Sequence, residues 1–209
     1  MRTGEQYHQS MTASPRDRRT RDRFLQLALG LLRPGDRILD FGAGTGIDAK
    51  AYAAAGHATW VYEPDDAQCT WLAEYCLEEI GRHAVIPTAF PPKEKVDAIT
   101  ANFAVLNLVP DHTALFDSFS RILDGEGFVL VSLLNPYYLG DIRYGWWRAN
   151  LLKLLREGRY AVESASGVTR HTPYSVARSA APHFRLEKIL PSGPAFCARQ
   201  YSFLLFRRA

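Results

Sequence analysis

The chain has 209 residues, of which 47% are apolar and 22% are charged, and its formal net charge is +3. This length fits one domain, residues 1–209, and the composition is that of an ordinary globular protein. So mild a charge does not argue for a nucleic-acid partner, for which a strongly clustered basic face is expected.

Cysteine usage and hydropathy exclude further classes. Cys69, Cys76 and Cys197 are odd in number and form no Cys-x-x-Cys pair, so we expect reduced thiols. No stretch approaches the roughly 18 apolar residues of a membrane span, and no apolar signal core begins the chain. The six histidines show no metal-ligand spacing. We therefore expect a cytoplasmic protein without a metal, a nucleic-acid partner or a membrane partner.

The first 20 residues are polar and show little periodicity, with arginines clustered around Asp17 and Asp22. We interpret them as a solvated, partly mobile arm. Apolar residues recur every three or four positions over 20–32, which predicts an amphipathic helix that Pro34-Gly35 ends.

The chain is organised around residues 38–49. An apolar strand over 37–41 leads into Gly42, Gly44 and Gly46, and a helix is predicted over 48–55. Alternating glycines allow positive φ angles and a close approach to a ligand, so we expect a strip of bare backbone with its N–H groups aimed outward. The helix that follows adds the positive end of its dipole. The pattern favours a nucleotide-like ligand.

The spacing of the loop discriminates between nucleotides. Ile47 stands where the dinucleotide fingerprint Gly-x-Gly-x-x-Gly places its last glycine, and Asp40 would repel a pyrophosphate but can hold an ammonium group. The pattern acid-x-Gly-x-Gly-x-Gly resembles the first motif of the class I S-adenosylmethionine-dependent methyltransferases. The resemblance implies that this loop binds S-adenosylmethionine through Asp40, Gly42, Ala43, Gly44 and Gly46.

A second strand, over 58–63, ends in Glu63 about 20 residues after the loop, where a carboxylate can accept both ribose hydroxyls. The family uses its residue there in the same way. Because Pro64, Asp65 and Asp66 can start the helix predicted over 65–80, Glu63 stays available for binding. We include Pro64 with the cofactor-binding residues.

The family often has an acid near the adenine after the third strand, here 84–87, but this chain has Thr88-Ala89-Phe90. Adenine contacts are therefore assigned to Thr88 and to backbone groups, including those of Ala89. The fourth strand and its exit, 96–103, resemble the family's fourth motif, which places Asn102 and Phe103 beside the methyl donor. A core position is the alternative for Phe103.

The resemblance also implies a cover over the cofactor from residues 1–32. Many small-molecule methyltransferases have an N-terminal Tyr and a basic helix start there, and Tyr7 and Arg18 (or Arg19) match these roles. An arginine fork suits the carboxylate of the methionine part.

The second half continues the alternation with a helix over 111–123 and an apolar strand over 128–134. Residues 135–172 are interpreted as an insertion that forms a substrate lid, with a helix over about 146–156. The alternative is an aromatic-rich surface helix that makes a satellite core or a dimer contact. A helix over 173–181 and strands over 184–190 and 200–207 complete the chain, the last strand antiparallel.

Together these elements predict an α/β fold with a doubly wound, seven-stranded, mostly parallel sheet of Rossmann-like methyltransferase type. The predicted function is S-adenosylmethionine-dependent methyl transfer to a small organic acceptor, by a monomer or homodimer. His8, Tyr138 and His171 are the candidates for a general base, if one is needed. The alternatives are an NAD-linked oxidoreductase and a non-catalytic nucleotide-binding module.

Overall fold

The computed structural model describes residues 3–162 and 167–209. Its chain divides into two compact units, Met1–Asn102 with Ile122–Gly127, and Phe103–Arg121 with Phe128–Ala209. Seven strands form one sheet, in the order β3 (Val85–Pro87), β2 (Thr59–Tyr62), β1 (Ile38–Phe41), β4 (Val96–Ala101), β5 (Leu123–Leu134), β9 (Tyr201–Arg208) and β8 (Phe184–Leu190). A separate hairpin pairs β6 (Arg159–Ala161) with β7 (Thr169–His171).

The first unit holds four strands that run parallel, β1 (Ile38–Phe41), β2 (Thr59–Tyr62), β3 (Val85–Pro87) and β4 (Val96–Ala101). All four residues of β1 are buried, as expected for a parallel strand that is covered on both faces. The helices of this unit are α1 (Gly4–Ala13), α2 (Pro15–Leu31), α3 (Ile47–Ala54), α4 (Asp66–Tyr75) and α5 (Leu77–Gly81).

The second unit contains α6 (His112–Ile122) up to Arg121, and β5 (Leu123–Leu134) from Phe128 onward. Strand β9 (Tyr201–Arg208) runs antiparallel to both β5 and β8 (Phe184–Leu190). The remaining elements are α7 (Gly145–Glu157), β6 (Arg159–Ala161), β7 (Thr169–His171) and α8 (Pro173–Ala180). The predicted α/β class, the seven-stranded sheet and its antiparallel end are confirmed.

The structure differs from the predicted arm at the N-terminus. Residues 4–13 form α1, which begins with a reciprocal capping box between Thr3 and Gln6. Gly4 is buried, and a Cβ there would lie 2.4 Å from the carbonyl oxygen of Ala67 in α4. The glycine therefore allows α1 to pack directly against α4, a contact that the polar sequence does not reveal.

Two further elements differ from the predictions. The helix predicted over 65–80 is divided at Cys76, which leaves the helical region at φ −104° and ψ 22°. The hairpin of β6 and β7 was not predicted, because each strand has only three residues and carries no extended alternating pattern.

Candidate functional site

The glycine loop between β1 and α3 has the backbone that the sequence predicts. Gly42, Gly44 and Gly46 have φ angles of +73°, +59° and +81°, a region that side chains other than glycine rarely adopt. Gly46 also has a packing role, since a Cβ there would lie 2.7 Å from the sulfur of Cys76. A Cβ on Gly44 would contact the side chains of Gln68 and Tyr7 at 3.3 and 3.7 Å.

The expectation of outward-aimed N–H groups is wrong for four residues of this loop. The amides of Gly42 and Ala43 donate to the carbonyl of Tyr62 at 2.8 and 3.0 Å, and the amide of Gly46 donates to Ala43. The amide of Gly44 donates to Glu63. The bonds to Tyr62 and Glu63 tie the loop to the carboxyl end of β2, whereas the bond from Gly46 to Ala43 closes the turn.

Glu63 lies where the sequence places it, directly after β2. Its two carboxylate oxygens accept the amides of Gly44 at 2.7 Å and Asp65 at 3.0 Å. Burial raises the pKa of Glu63, and these two amides counteract part of that shift. The helix start is provided separately, as predicted, since the side chain of Asp65 caps α4 through the amide of Gln68.

A buried polar cluster lies beside the loop. Asp40 is 2% exposed, and its Oδ1 accepts from the hydroxyl of Thr100 at 3.1 Å. Its Oδ2 has no hydrogen-bond partner among the described residues. Asp48, in the first turn of α3, accepts from Arg21 at 2.5 Å and from the amide of Asn102 at 2.8 Å. Burial, with the nearby Asp48 carboxylate, raises the pKa of Asp40 well above its ordinary value.

The sequence reasoning missed Arg21 and Asp48. Arg18 is exposed, whereas the Arg21 side chain, one helical turn later on α2, is 12% exposed and lies in this cluster. For Arg21, the available signal was its position three residues after Arg18, on the same face of the helix. For Asp48, it was the presence of an acid in the first turn after the glycine loop.

Tyr7 and His8 bring α1 to the same loop. Tyr7 is half-buried and lies over Gly44. Burial raises the pKa of Tyr7. His8 shares a 3.1 Å hydrogen bond with the hydroxyl of Thr45 and packs against the rings of Trp71 and Tyr75. Helix α1 thus contacts the glycine loop through these two side chains.

The predicted adenine residues Thr88 and Ala89 follow β3. The amide of Thr88 donates to Val61 at 3.0 Å, and its hydroxyl donates to the carbonyl of Ala89 at 3.1 Å. Next to them is an aromatic group that was missed, formed by Phe41, Tyr62 and Phe90 with ring centroids 4.8 to 5.4 Å apart.

In the second unit, Phe103 has a positive φ of +52° and packs edge-on against Tyr201. Tyr138 is half-buried and lies in the segment that follows β5. His171, on β7, is 4% exposed and its ring lies 4.3 Å from that of His112. Burial, with His112 and Arg159, lowers the pKa of His171 to about 3.

A buried ion pair connects the segment after β5 to β7. Arg170 contacts Asp141 at 3.0 Å and donates to the carbonyl of Asn135 at 2.9 Å. Burial raises the pKa of the neighbouring Tyr160 to about 12. These contacts of Arg170 hold Asn135 and Asp141 against β7 within their unit.

Residues 3–162 and 167–209 are the part of the chain that the structure describes. In that part of the chain, no three side chains of His, Cys, Asp or Glu meet in an arrangement that could hold a metal ion. None of its helices has the length and hydropathy to cross a bilayer.

This chain is similar to curated proteins in sequence and to solved structures in fold. A demethylmenaquinone methyltransferase of Mycobacterium sp. (strain KMS) is 32% identical over 105 residues, which are 50% of this chain and 44% of that protein. The match thus spans less than half the length of that relative.

Among solved structures, a TehB-like SAM-dependent methyltransferase from Corynebacterium glutamicum has a TM-score of 0.65 at 12% identity, with 99% of this chain and 98% of that one covered. The N-methyltransferase NodS from Bradyrhizobium japonicum, in complex with S-adenosyl-L-homocysteine, has a TM-score of 0.65 at 13% identity, with 95% and 90% covered. Residues 13–178 match the model of the methyltransferase domain family. The chain therefore belongs to the methyltransferase domain family, as the resemblance of Asp40–Gly46 to the class I S-adenosylmethionine-dependent enzymes predicted.

Proposed function

We propose that this protein transfers a methyl group from S-adenosylmethionine to a small organic acceptor. The observation that carries the proposal is the arrangement at the glycine loop. Gly44 has a positive φ and donates its amide to Glu63, and the buried Asp40 keeps one carboxylate oxygen unpaired among the described residues. When bound, S-adenosylmethionine supplies a methyl group that is already activated by the positive sulfur.

The chain's own groups fit this cofactor. The unsatisfied, buried Oδ2 of Asp40 is an acceptor suited to the ammonium group. Arg21 suits the carboxylate, and Asp48 holds its guanidinium in place. Each oxygen of Glu63 retains a lone pair beyond its amide bond, so the carboxylate can still accept the ribose hydroxyls.

The amide pattern argues against the dinucleotide alternative. A pyrophosphate is held by free backbone N–H groups at such a loop. Here the amides of Gly42, Ala43, Gly44 and Gly46 are already paired. A cofactor without phosphates needs close approach to the loop but not these donors, so the geometry favours S-adenosylmethionine over NAD.

For the adenine ring, we propose contacts with aromatic side chains in place of the hydroxyl of Thr88. Since the hydroxyl and amide of Thr88 are both paired within the chain, we assign recognition there to the faces of Tyr62 and Phe90, with backbone groups of Thr88 and Ala89. Aromatic rings replace the acid that the family often has at this position.

Catalysis then rests on positioning. Holding two reactants in line contributes about 7–11 kcal/mol. Of the three base candidates, His171 is a weak proton acceptor because of its low pKa, and His8 is engaged with Thr45. Tyr138 is therefore the residue that we retain for proton transfer, in the segment 135–172 proposed as a substrate lid.

The test uses isothermal calorimetry with S-adenosylhomocysteine and with NAD, followed by labelled-methyl transfer to a panel of small acceptors that includes quinols and amines. We expect binding of S-adenosylhomocysteine only, and transfer to at least one acceptor class. NAD binding would support the oxidoreductase, and cofactor binding without any transfer would support the non-catalytic module. The cytoplasmic location, the absence of a nucleic-acid partner and the monomeric or homodimeric state remain predictions.

A further inference from the structure

The exposed apolar side chains are concentrated in one short segment. Of the eight large apolar residues that are exposed in the described ranges, five lie between positions 139 and 155. They are Leu139, Ile142, Tyr144, Leu152 and Leu155. Scattered single apolar residues are normal on a surface, but a concentration of this kind indicates a binding surface.

Helix α7 turns one side inward and the other to solvent. On the inner side, Leu154 is 2% exposed and the indole of Trp147 donates to the carbonyl of Pro136 at 2.8 Å. On the outer side, Leu152 and Leu155 are 67% and 66% exposed. Residues three or four apart share a helix face, so Arg148 extends the face of these leucines.

The charges around these leucines have one dominant sign. Arg143, Arg148, Lys153, Arg156 and Arg159 are exposed between positions 142 and 159, and Glu157 is the exposed acid there. Asp141 is buried against Arg170 and adds no charge to the surface. At the start of the helix, Tyr144 stacks on Trp146 at 5.7 Å. The combination of leucines, aromatic rings and cations is typical of helices that lie in a membrane interface.

We propose that the outer side of α7, defined by Arg148, Leu152, Lys153, Leu155 and Arg156, docks on a membrane surface that contains anionic lipid. The cations complement the negative headgroups, and their aliphatic stems allow the leucines to enter the interface. The sequence predicted no membrane partner because the chain lacks an apolar stretch long enough to span a bilayer. A helix that lies parallel to the membrane surface does not need such a stretch.

A second copy of the chain fits this face less well. A two-fold interface centred on α7 brings each cationic side chain against the same set on its partner. Glu157 is the one exposed acid between positions 142 and 159 that could offset this repulsion between cations. Like charges across an interface oppose association, which favours an anionic surface over self-association.

The experiment measures co-sedimentation of the full chain with vesicles of phosphatidylcholine alone and of phosphatidylcholine mixed with phosphatidylglycerol. We expect binding to the mixed vesicles only, weakened by added salt. Replacing Arg148, Lys153 and Arg156 by Gln lowers the partition coefficient roughly 100-fold, because each cation near the surface contributes about 1 kcal/mol. The double variant Leu152→Ser, Leu155→Ser lowers the partition coefficient by roughly tenfold or more.

Matched controls are Leu77→Ser and Leu108→Ser, whose side chains are 68% and 58% exposed on other elements. These variants keep wild-type partitioning, and a thermal unfolding scan verifies that every variant remains folded. Equal binding to both vesicle types, no binding to the anionic vesicles, or full binding by the leucine variant would each overturn the proposal. So would a homodimer that only the leucine variant abolishes, since a second copy then covers the face.

Discussion

The carboxylate of Glu63 accepts the backbone amide of Gly44 at 2.7 Å, and this bond joins the end of β2 to the turn after β1. One side chain thus sets the position of the loop and keeps acceptor capacity for a ligand. The surface that we propose for the cofactor is therefore ordered by the chain itself, which reduces the free energy needed to order it on binding.

Replacing Glu63 tests this double role. We expect Glu63→Ala to weaken S-adenosylhomocysteine binding about 10- to 100-fold, because a charged hydrogen bond contributes roughly 1.5–3 kcal/mol. Calorimetry measures the affinity. Asp65→Ala is the control, since it removes the cap of α4 and lowers the unfolding midpoint while leaving both oxygens of Glu63 in place. Unaltered affinity in Glu63→Ala would assign the acid to the surface.

Substitution of Gly44 tests the loop itself. Gly44→Val places a branched side chain at φ +59°, against Gln68 and Tyr7, so we expect cofactor binding to be abolished. Gly125→Val is the control, because no described residue other than its two chain neighbours has an atom within 4 Å of a Cβ there. If the Gly44 variant is folded and binds with wild-type affinity, the loop does not hold the cofactor.

Arg21 and Arg18 are distinguished by a pair of identical changes. Arg21→Met leaves the carboxylate of Asp48 buried near Asp40 without its cation. We expect the free energy of unfolding to fall by about 3–5 kcal/mol, and the affinity for S-adenosylhomocysteine to fall by roughly tenfold or more. Arg18→Met, at an exposed position of the same helix, leaves both quantities unchanged. Urea unfolding and calorimetry measure them. Weakened binding in Arg18→Met alone would return the carboxylate-binding role to that residue.

His171 predicts a dependence of stability on pH. Its pKa is about 3 in the folded chain and about 6.5 in the unfolded chain, so the unfolded state binds more protons between these values. The free energy of unfolding therefore falls as the pH is lowered from 6.5 towards 3. We expect a smaller fall for His171→Asn, measured as the urea midpoint at pH 7 and pH 5.

The matched control for this experiment is His83→Asn, at an exposed turn position with φ +58° that Asn tolerates. It keeps the wild-type difference between the two midpoints. An identical pH dependence in His171→Asn would show that other groups control acid stability.

The sequence by itself determined the α/β class, the glycine loop and the placement of Glu63. These features follow from local patterns, since an apolar run, alternating glycines and a helix start each lie within a few consecutive residues. The antiparallel end of the sheet was also predictable, from the family resemblance that the loop supports.

Only the tertiary structure decided which groups surround the loop. Asp48 meets Arg21 across 27 positions and Asn102 across 54, and the sequence does not show that these residues pair. The amides of the loop were expected to be bare, yet Tyr62 of β2 accepts two of them and Glu63, directly after β2, accepts a third. The physical reason is that hydrogen-bond and ion-pair partners are set by the packing of distant elements, whereas sequence patterns report only which face of each element is apolar.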